Sequence, residues 1–235
     1  MIREHFQYRQ TITTLLADDQ RHLAAAKEGM IAARQELERF LATDPFFGST
    51  FEPCSPQSSS TVIRRMAVAA GPAGVGPMAA VAGTIAWAGV EAMVDAGASF
   101  GVVDNGGDIA LIADREVRIG IHAGTSPFSN RLAFLVPPQE EILGICTSSA
   151  TVGPSISFGT ADAVTAFSRD VAAADAWATS LCNRFEECRE EFFAPLQGTA
   201  IEGVHIIAGD RRCVWGRVPR IVAARVDESL ITAGK

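Results

Sequence analysis

Three stretches of this 235-residue chain carry side chains suited to chemistry. The first is Ala172-Ala173-Ala174-Asp175-Ala176-Trp177-Ala178-Thr179-Ser180. Asp175 and Thr179 are four residues apart, so on a helix they project from the same side. An acid in so Ala-rich a stretch is costly to bury without a partner. A carboxylate beside a hydroxyl suits a hard, oxygen-seeking cation such as Mg2+. The competing reading is an acid in the first turn of a helix, where the dipole favours it. Both stay open.

The second stretch, Asp104-Asn105-Gly106-Gly107-Asp108, sits between two apolar runs. Paired glycines reach positive φ and let the backbone approach a ligand with N–H groups turned toward it. The plainer reading is an Asn-Gly hairpin turn with nothing bound. In the third stretch, Gly144 to Gly159, the hydroxyls of Thr147, Ser148, Ser149, Thr151, Ser155 and Ser157 cluster without a charge. Such a loop offers neutral donors to a phosphate or a polar ring, or it solvates itself through local turns. Cys146 has no basic neighbour in sequence to lower its pKa and reads as a packed thiol. His5 and His22 read as surface residues, His122 as a structural histidine at a strand end, and His205 as part of a tail hairpin. There is no His-Asp-Ser order and no HExxH pattern to support a hydrolytic triad or a zinc protease.

The elements that must position these residues follow from patterning. A partly alternating strand is expected over His5 to Leu16. A helix led by Asp18 and Asp19 should follow to about Leu41, then a Pro- and Ser-punctuated surface loop from Thr43 to Ser60. A helix over Thr61 to Ala70 and a Gly/Pro loop lead into a core helix with Pro77 in its first turn and Gly97 just past its end. Short strands are expected over Phe100–Asp104, Asp108–Ala113, Val117–His122, Arg131–Val136, Gly144–Ser148 and Asp162–Phe167. A helix from Val171 to about Glu190, a hairpin of Val204–Ile207 with Cys213–Trp215, and a strand near Ile221 to Val226 complete the chain. Segregated helices and hairpins indicate one α+β domain spanning residues 1–235. Leu111 to Gly120 weakly echoes Ile207 to Gly216, which fits convergent turn chemistry better than duplication.

Composition narrows the function. Hydrophobic residues make up 48%, enough for a sizeable core, and the formal net charge is -7 with no Lys/Arg run. That balance argues against nucleic acid and against anionic membrane surfaces. Met66 to Val90 carries no charge, but its glycines and prolines break it and favour a buried core helix over a membrane span. The N-terminus lacks the apolar core of a secretory signal. Five scattered cysteines without a CxxC pair read as reduced thiols rather than a zinc site or disulfide framework, which fits a cytoplasmic setting.

Taken in order, Val75-Gly-Pro-Met-Ala-Ala-Val-Ala-Gly83, Asp104-Asn-Gly-Gly-Asp-Ile109, Cys146-Thr-Ser-Ser149, Ser155-Ile-Ser-Phe-Gly-Thr-Ala-Asp162 and Ala174-Asp-Ala-Trp-Ala-Thr179 resemble the ApbE-like superfamily over roughly Phe6 to Val226. Pro154 to Asp162 holds no histidine where the flavin-transferring members carry His-x-x-x-Pro-x-x-Gly, and no lysine stands near Pro77-Met78. The chain is thus more similar to the UPF branch of the superfamily than to the transferases. The resemblance implies two T-fold-like antiparallel sheet-and-helix halves packed as one unit. It implies Mg2+ at Asp175 and Thr179, and FAD, FMN or another phosphate-bearing small molecule around Met78, Asn105, Gly106, Gly107, Asp108, Thr147, Ser148 and Ser149. The alternative is a non-catalytic homo-oligomeric ligand-binding or scaffold protein that keeps the fold.

Overall fold

A computed structural model describes residues 1–152, 159–226 and 232. Its elements in chain order are β1 (Ile2–Tyr8), β2 (Thr11–Ala17), α1 (Gln20–Thr43), α2 (Pro45–Ser49), α3 (Thr61–Ala73), a 3-10 turn (Pro77–Ala80) and α4 (Val81–Asp95). There follow β3 (Phe100–Asn105), β4 (Asp108–Ala113), β5 (Val117–Gly120), β6 (Leu132–Val136), β7 (Gln139–Ser148) and β8 (Ala163–Ser168). The chain continues through α5 (Val171–Arg184), a second 3-10 turn (Glu190–Leu196), β9 (Ile201–Ala208), β10 (Arg211–Gly216) and β11 (Arg220–Ala223).

Eight strands form one antiparallel sheet in the order β1-β2-β3-β4-β7-β8-β9-β10. It divides into two halves of one plan, β1β2–helices–β3β4 and β7β8–α5–β9β10, which meet along β4 and β7. This is the α+β, two-halved architecture expected. Strand alternation sends side chains to two cores. Val103, Ala110, Cys146, Val164 and Ala166 face the layer of α1, α4 and α5, whereas Phe100, Val102, Leu111, Ile145 and Phe167 face the three-stranded sheet β11-β6-β5. The charge-free stretch becomes α4, packed against α1 on one side and β3 and β4 on the other. Pro77–Asp95 is apolar and long enough to cross a bilayer by length and composition, but here it is the core helix.

Several expectations are corrected. The strand over His5 to Leu16 is a hairpin, turned at Arg9 with φ 55. The loop from Thr43 to Ser60 contains α2, whose first turn is capped by Asp44 through the Phe47 N–H. α5 stops at Arg184 rather than Glu190, because carrying it on would load Glu186, Glu187 and Glu190 onto the negative end of its dipole. The expectation of five reduced thiols fails at one pair, since Cys188 and Cys213 are disulfide-bonded. The turn after α5 lays Phe193 on Trp215 of β10 in a stacked pair, which brings the two cysteines together across 25 residues. The echo between Leu111 and Ile207 falls on β4 and β9, the fourth strand of one half and the third of the other, so it reflects turn chemistry and not repetition.

Candidate functional site

The site is built where α4, α5 and the β3–β4 hairpin converge. Asp170 accepts the Ala173 N–H at 2.9 Å and starts α5. Small residues then let the helix sit close to its neighbours. A Cβ on Gly144 of β7 would lie 2.8 Å from the Val171 Cα, and one on Gly83 of α4 would lie 2.9 Å from the Asp175 Cβ. That approach delivers the Asp175 carboxylate, only 6% exposed, to the first turn of α4. Its Oδ2 accepts the Gly83 N–H at 2.8 Å, and the Ala82 N–H bonds it as well. No side chain of its own caps α4, so Asp175 satisfies these otherwise orphaned donors from another helix. Asn105 grips the same turn from the hairpin, its Nδ2 donating to the Ala82 carbonyl at 3.0 Å.

Asp108 begins β4 on the helix side, paired in register with Cys146 of β7. Burial pushes its carboxyl well above the ordinary range, and the charges of Asp175 and then Asp104 push it further. Asp175 is itself raised to about 7 by burial, against the opposing pull of the Gly83 and Ala82 N–H groups. Burial and these same two carboxylates raise the Cys146 thiol too. It stays protonated, fully buried, its sulfur 3.6 Å from the Val171 carbonyl. Among the described residues no basic side chain acts on Asp108 or Asp175.

Not every residue singled out in the sequence joins this cluster. Thr179 lies one turn beyond Asp175 on α5 and is half-buried. Gly106 and Gly107, with φ 71 and 103, form a true hairpin turn in which Asp104 accepts the Gly107 N–H at 2.9 Å. The Thr147 N–H holds the turn's Gly107 carbonyl at 3.1 Å. The Thr147 hydroxyl, however, points to the other face of the sheet and pairs with Thr165 at 2.9 Å. Ser148 is half-buried on the helix side, while the Ser149 hydroxyl accepts the Thr151 and Val152 N–H groups in a local turn. Met78, half-buried in the 3-10 turn before α4, packs on the helix-side core. Gly153, Pro154, Ser155 and Ser157 of the hydroxyl-rich loop lie outside the described residues.

Among the described residues no three His, Cys, Asp or Glu side chains gather into a metal-holding group. A groove of about 280 Å³ between α3 and α5, lined by Val68, Pro72 and Trp177, contains none of the candidate residues. The residues that sequence reasoning undervalued are Gly83 and Ala82, which act through their backbone. The glycine at position 83, in the first turn of α4, hinted at the close approach.

The fold has solved counterparts. The apo form of the flavinyl transferase ApbE from Pseudomonas stutzeri superposes with a TM-score of 0.59 at 13% identity, over 100% of this chain and 98% of that one. A variant of the flavin transferase ApbE from Vibrio cholerae gives 0.51 at 14% identity, over 91% and 96%. These likenesses define the class as an ApbE-type α+β fold. In sequence, residues 3–191 match the family model described as AbpE bacteria. Proteins named UPF0280 from Methanoculleus marisnigri and Methanoregula boonei are 65% and 60% identical over 100% of this chain and 96% and 99% of their own lengths. The chain belongs to that family, in its UPF0280 branch.

Proposed function

We propose that this protein binds a divalent cation, Mg2+ in the first instance, through the Asp175 carboxylate and the Thr179 hydroxyl, and with it a phosphate-bearing small molecule of the flavin class. The observation that carries this reading is the acid pair of buried Asp175 and half-buried Asp108, with no basic side chain among the described residues acting on either. Two such carboxylates repel each other when ionised, and a cation held at Asp175 would relieve the repulsion. The donors are hard oxygens and few, which suits Mg2+, an ion that keeps several waters or phosphate oxygens in its shell. Bound there, Mg2+ would neutralise and orient phosphate oxygens.

The chain's own residues would do the rest. Asp175, locked to α4, fixes the cation's position. Gly106 is exposed and has no Cβ to obstruct an approach to the turn. Ser148 and Met78 flank the same side. The solved relatives named as flavin and flavinyl transferases support a flavin-class ligand.

The test is isothermal titration of Mg2+, and then of FAD, FMN and ADP with Mg2+, into the wild type, Asp175→Ala and Thr179→Val. The expected result is Mg2+-dependent heat in the wild type, lost in Asp175→Ala and weakened in Thr179→Val. Equal heats in all three proteins would remove the site.

A further inference from the structure

The outer face of the three-stranded sheet is cationic on a protein whose net charge is -7. Register fixes the arrangement. Arg118 of β5 and Arg220 of β11 both stand opposite Leu135 of the central strand β6. They share its face, two strand spacings or roughly 10 Å apart. Arg131 stands immediately before β6, four residues ahead of Leu135. All three arginines are exposed, and among the described residues none has an ion pair or a side-chain hydrogen bond. Glu116, just ahead of β5, is an exposed acid on that approach among the described residues.

A mirror-image excess lies elsewhere on the chain. Glu186, Glu187, Glu190 and Glu191 are all exposed within six residues; among the described residues Glu187 is the one that is ion-paired, with Arg189 at 2.6 Å, whose guanidinium also feels Glu191 and Glu186. The strip is held in place by the Cys188–Cys213 bond and by Phe193 stacked on Trp215. Four carboxylates so confined repel one another, and among the described residues Arg189 is the cation ion-paired within the strip.

From this complementarity we infer that the arginine face is a docking surface for the glutamate strip of a second copy of the chain. Both surfaces are preformed, so little ordering is needed on contact. Charge complementarity of this kind fixes register and partner more than it adds bulk affinity. Because each copy carries both surfaces, the contact can be made twice in a two-fold dimer or head to tail in a ring. Covering Leu135 and blunting the two edge strands would need only the aliphatic stems of the arginines. It does not account for three guanidinium groups at one sheet that have no ion pair among the described residues.

The test is sedimentation velocity of the full chain, comparing about 20 mM with about 500 mM salt, where screening shortens from tens of ångströms to a few. The wild type should self-associate at low salt and dissociate at high salt. Arg118→Glu with Arg220→Glu should weaken association at least tenfold, as should Glu190→Arg with Glu191→Arg, and the four changes together should restore it. The milder Arg118→Gln with Arg220→Gln guards against loss of folding in the reversal. A wild type that is monomeric at low salt overturns the inference. So does association that persists at high salt, or that survives either reversed pair.

Discussion

Asp175→Asn is the perturbation whose consequences follow most directly from the geometry. In the cation-free protein the carboxyl titrates at about 7 instead of its ordinary 3.8 because it is buried. Between those two values the folded chain keeps a proton that the unfolded chain releases. The stability that protonation confers is therefore complete below about pH 4 and is lost as pH rises through about 7. The displacement corresponds to about 4 kcal/mol, the cost of holding the ionised carboxylate in place at pH 8. The amide of the variant keeps an oxygen for the Gly83 N–H and carries no charge. Asp175→Asn should thus be more stable than the wild type by up to about 4 kcal/mol at pH 8, and equal to it near pH 4.

Urea unfolding across that range, with a chelator present, measures the difference. The contrast between the two proteins is the quantity to read, since other groups tilt both curves alike. Adding Mg2+ at about a hundred times its dissociation constant should then restore about 2.7 kcal/mol to the wild type at pH 8 and nothing to the variant. A variant less stable than the wild type at pH 8 without metal, or an advantage that does not change with pH, would refute the reasoning.

His205 makes the opposite slope. It is 1% exposed on β9, its Nε2 has no hydrogen-bond partner among the described residues, and burial lowers its pKa to about 4. The unfolded chain takes up the proton first as pH falls below 6.5, so about 3 kcal/mol should be lost on the way down through pH 4, and His205→Leu should flatten that limb in the same urea titrations. Gly83→Ala places a Cβ 2.9 Å from the Asp175 Cβ and 3.0 Å from the Val171 carbonyl. It should cost about 1–3 kcal/mol in urea and abolish the Mg2+ heat in calorimetry, by forcing α4 off α5. Gly106→Ala meets nothing within 4 Å and keeps a left-handed φ of 71, so thermal melts should show a loss of only about 1 kcal/mol. Gly107→Ala, at φ 103, should lose more, about 2–3 kcal/mol.

Period and punctuation carried most of the fold. The strand alternation, the Asp19 cap of α1, Pro77 in the turn before α4 and the glycine pair between β3 and β4 all act locally, and a sequence displays local preferences openly. What it concealed depends on distant partners. Nothing around Cys188 shows that a stacked Phe193 and Trp215 will set it against Cys213. Thr147 looks interchangeable with Ser148 in the chain, yet strand parity sends its hydroxyl to Thr165 on the far face. The i, i+4 spacing of Asp175 and Thr179 was visible because it belongs to one helix. The meeting of Asp175 with Asp108 required the packing of α5 on the β4–β7 seam.

The two readings of Asp175 set out at the start, helix-terminus acid and metal ligand, were mutually exclusive only while its helix was taken to be the one it serves. Met66 to Val90 has no charged residue, so α4 has no acid of its own to place at its N-terminus, and a buried helix cannot leave those N–H groups to water. The acid must come from a neighbour, and the neighbour must come close, which Gly83 permits. Once the carboxylate is engaged with the Gly83 and Ala82 N–H groups, its rotation is arrested and its position relative to α4 is fixed. The bond that makes Asp175 structural is therefore what would give the proposed cation a fixed ligand. This is why removing the charge should make the protein sturdier and remove its affinity for metal in the same step.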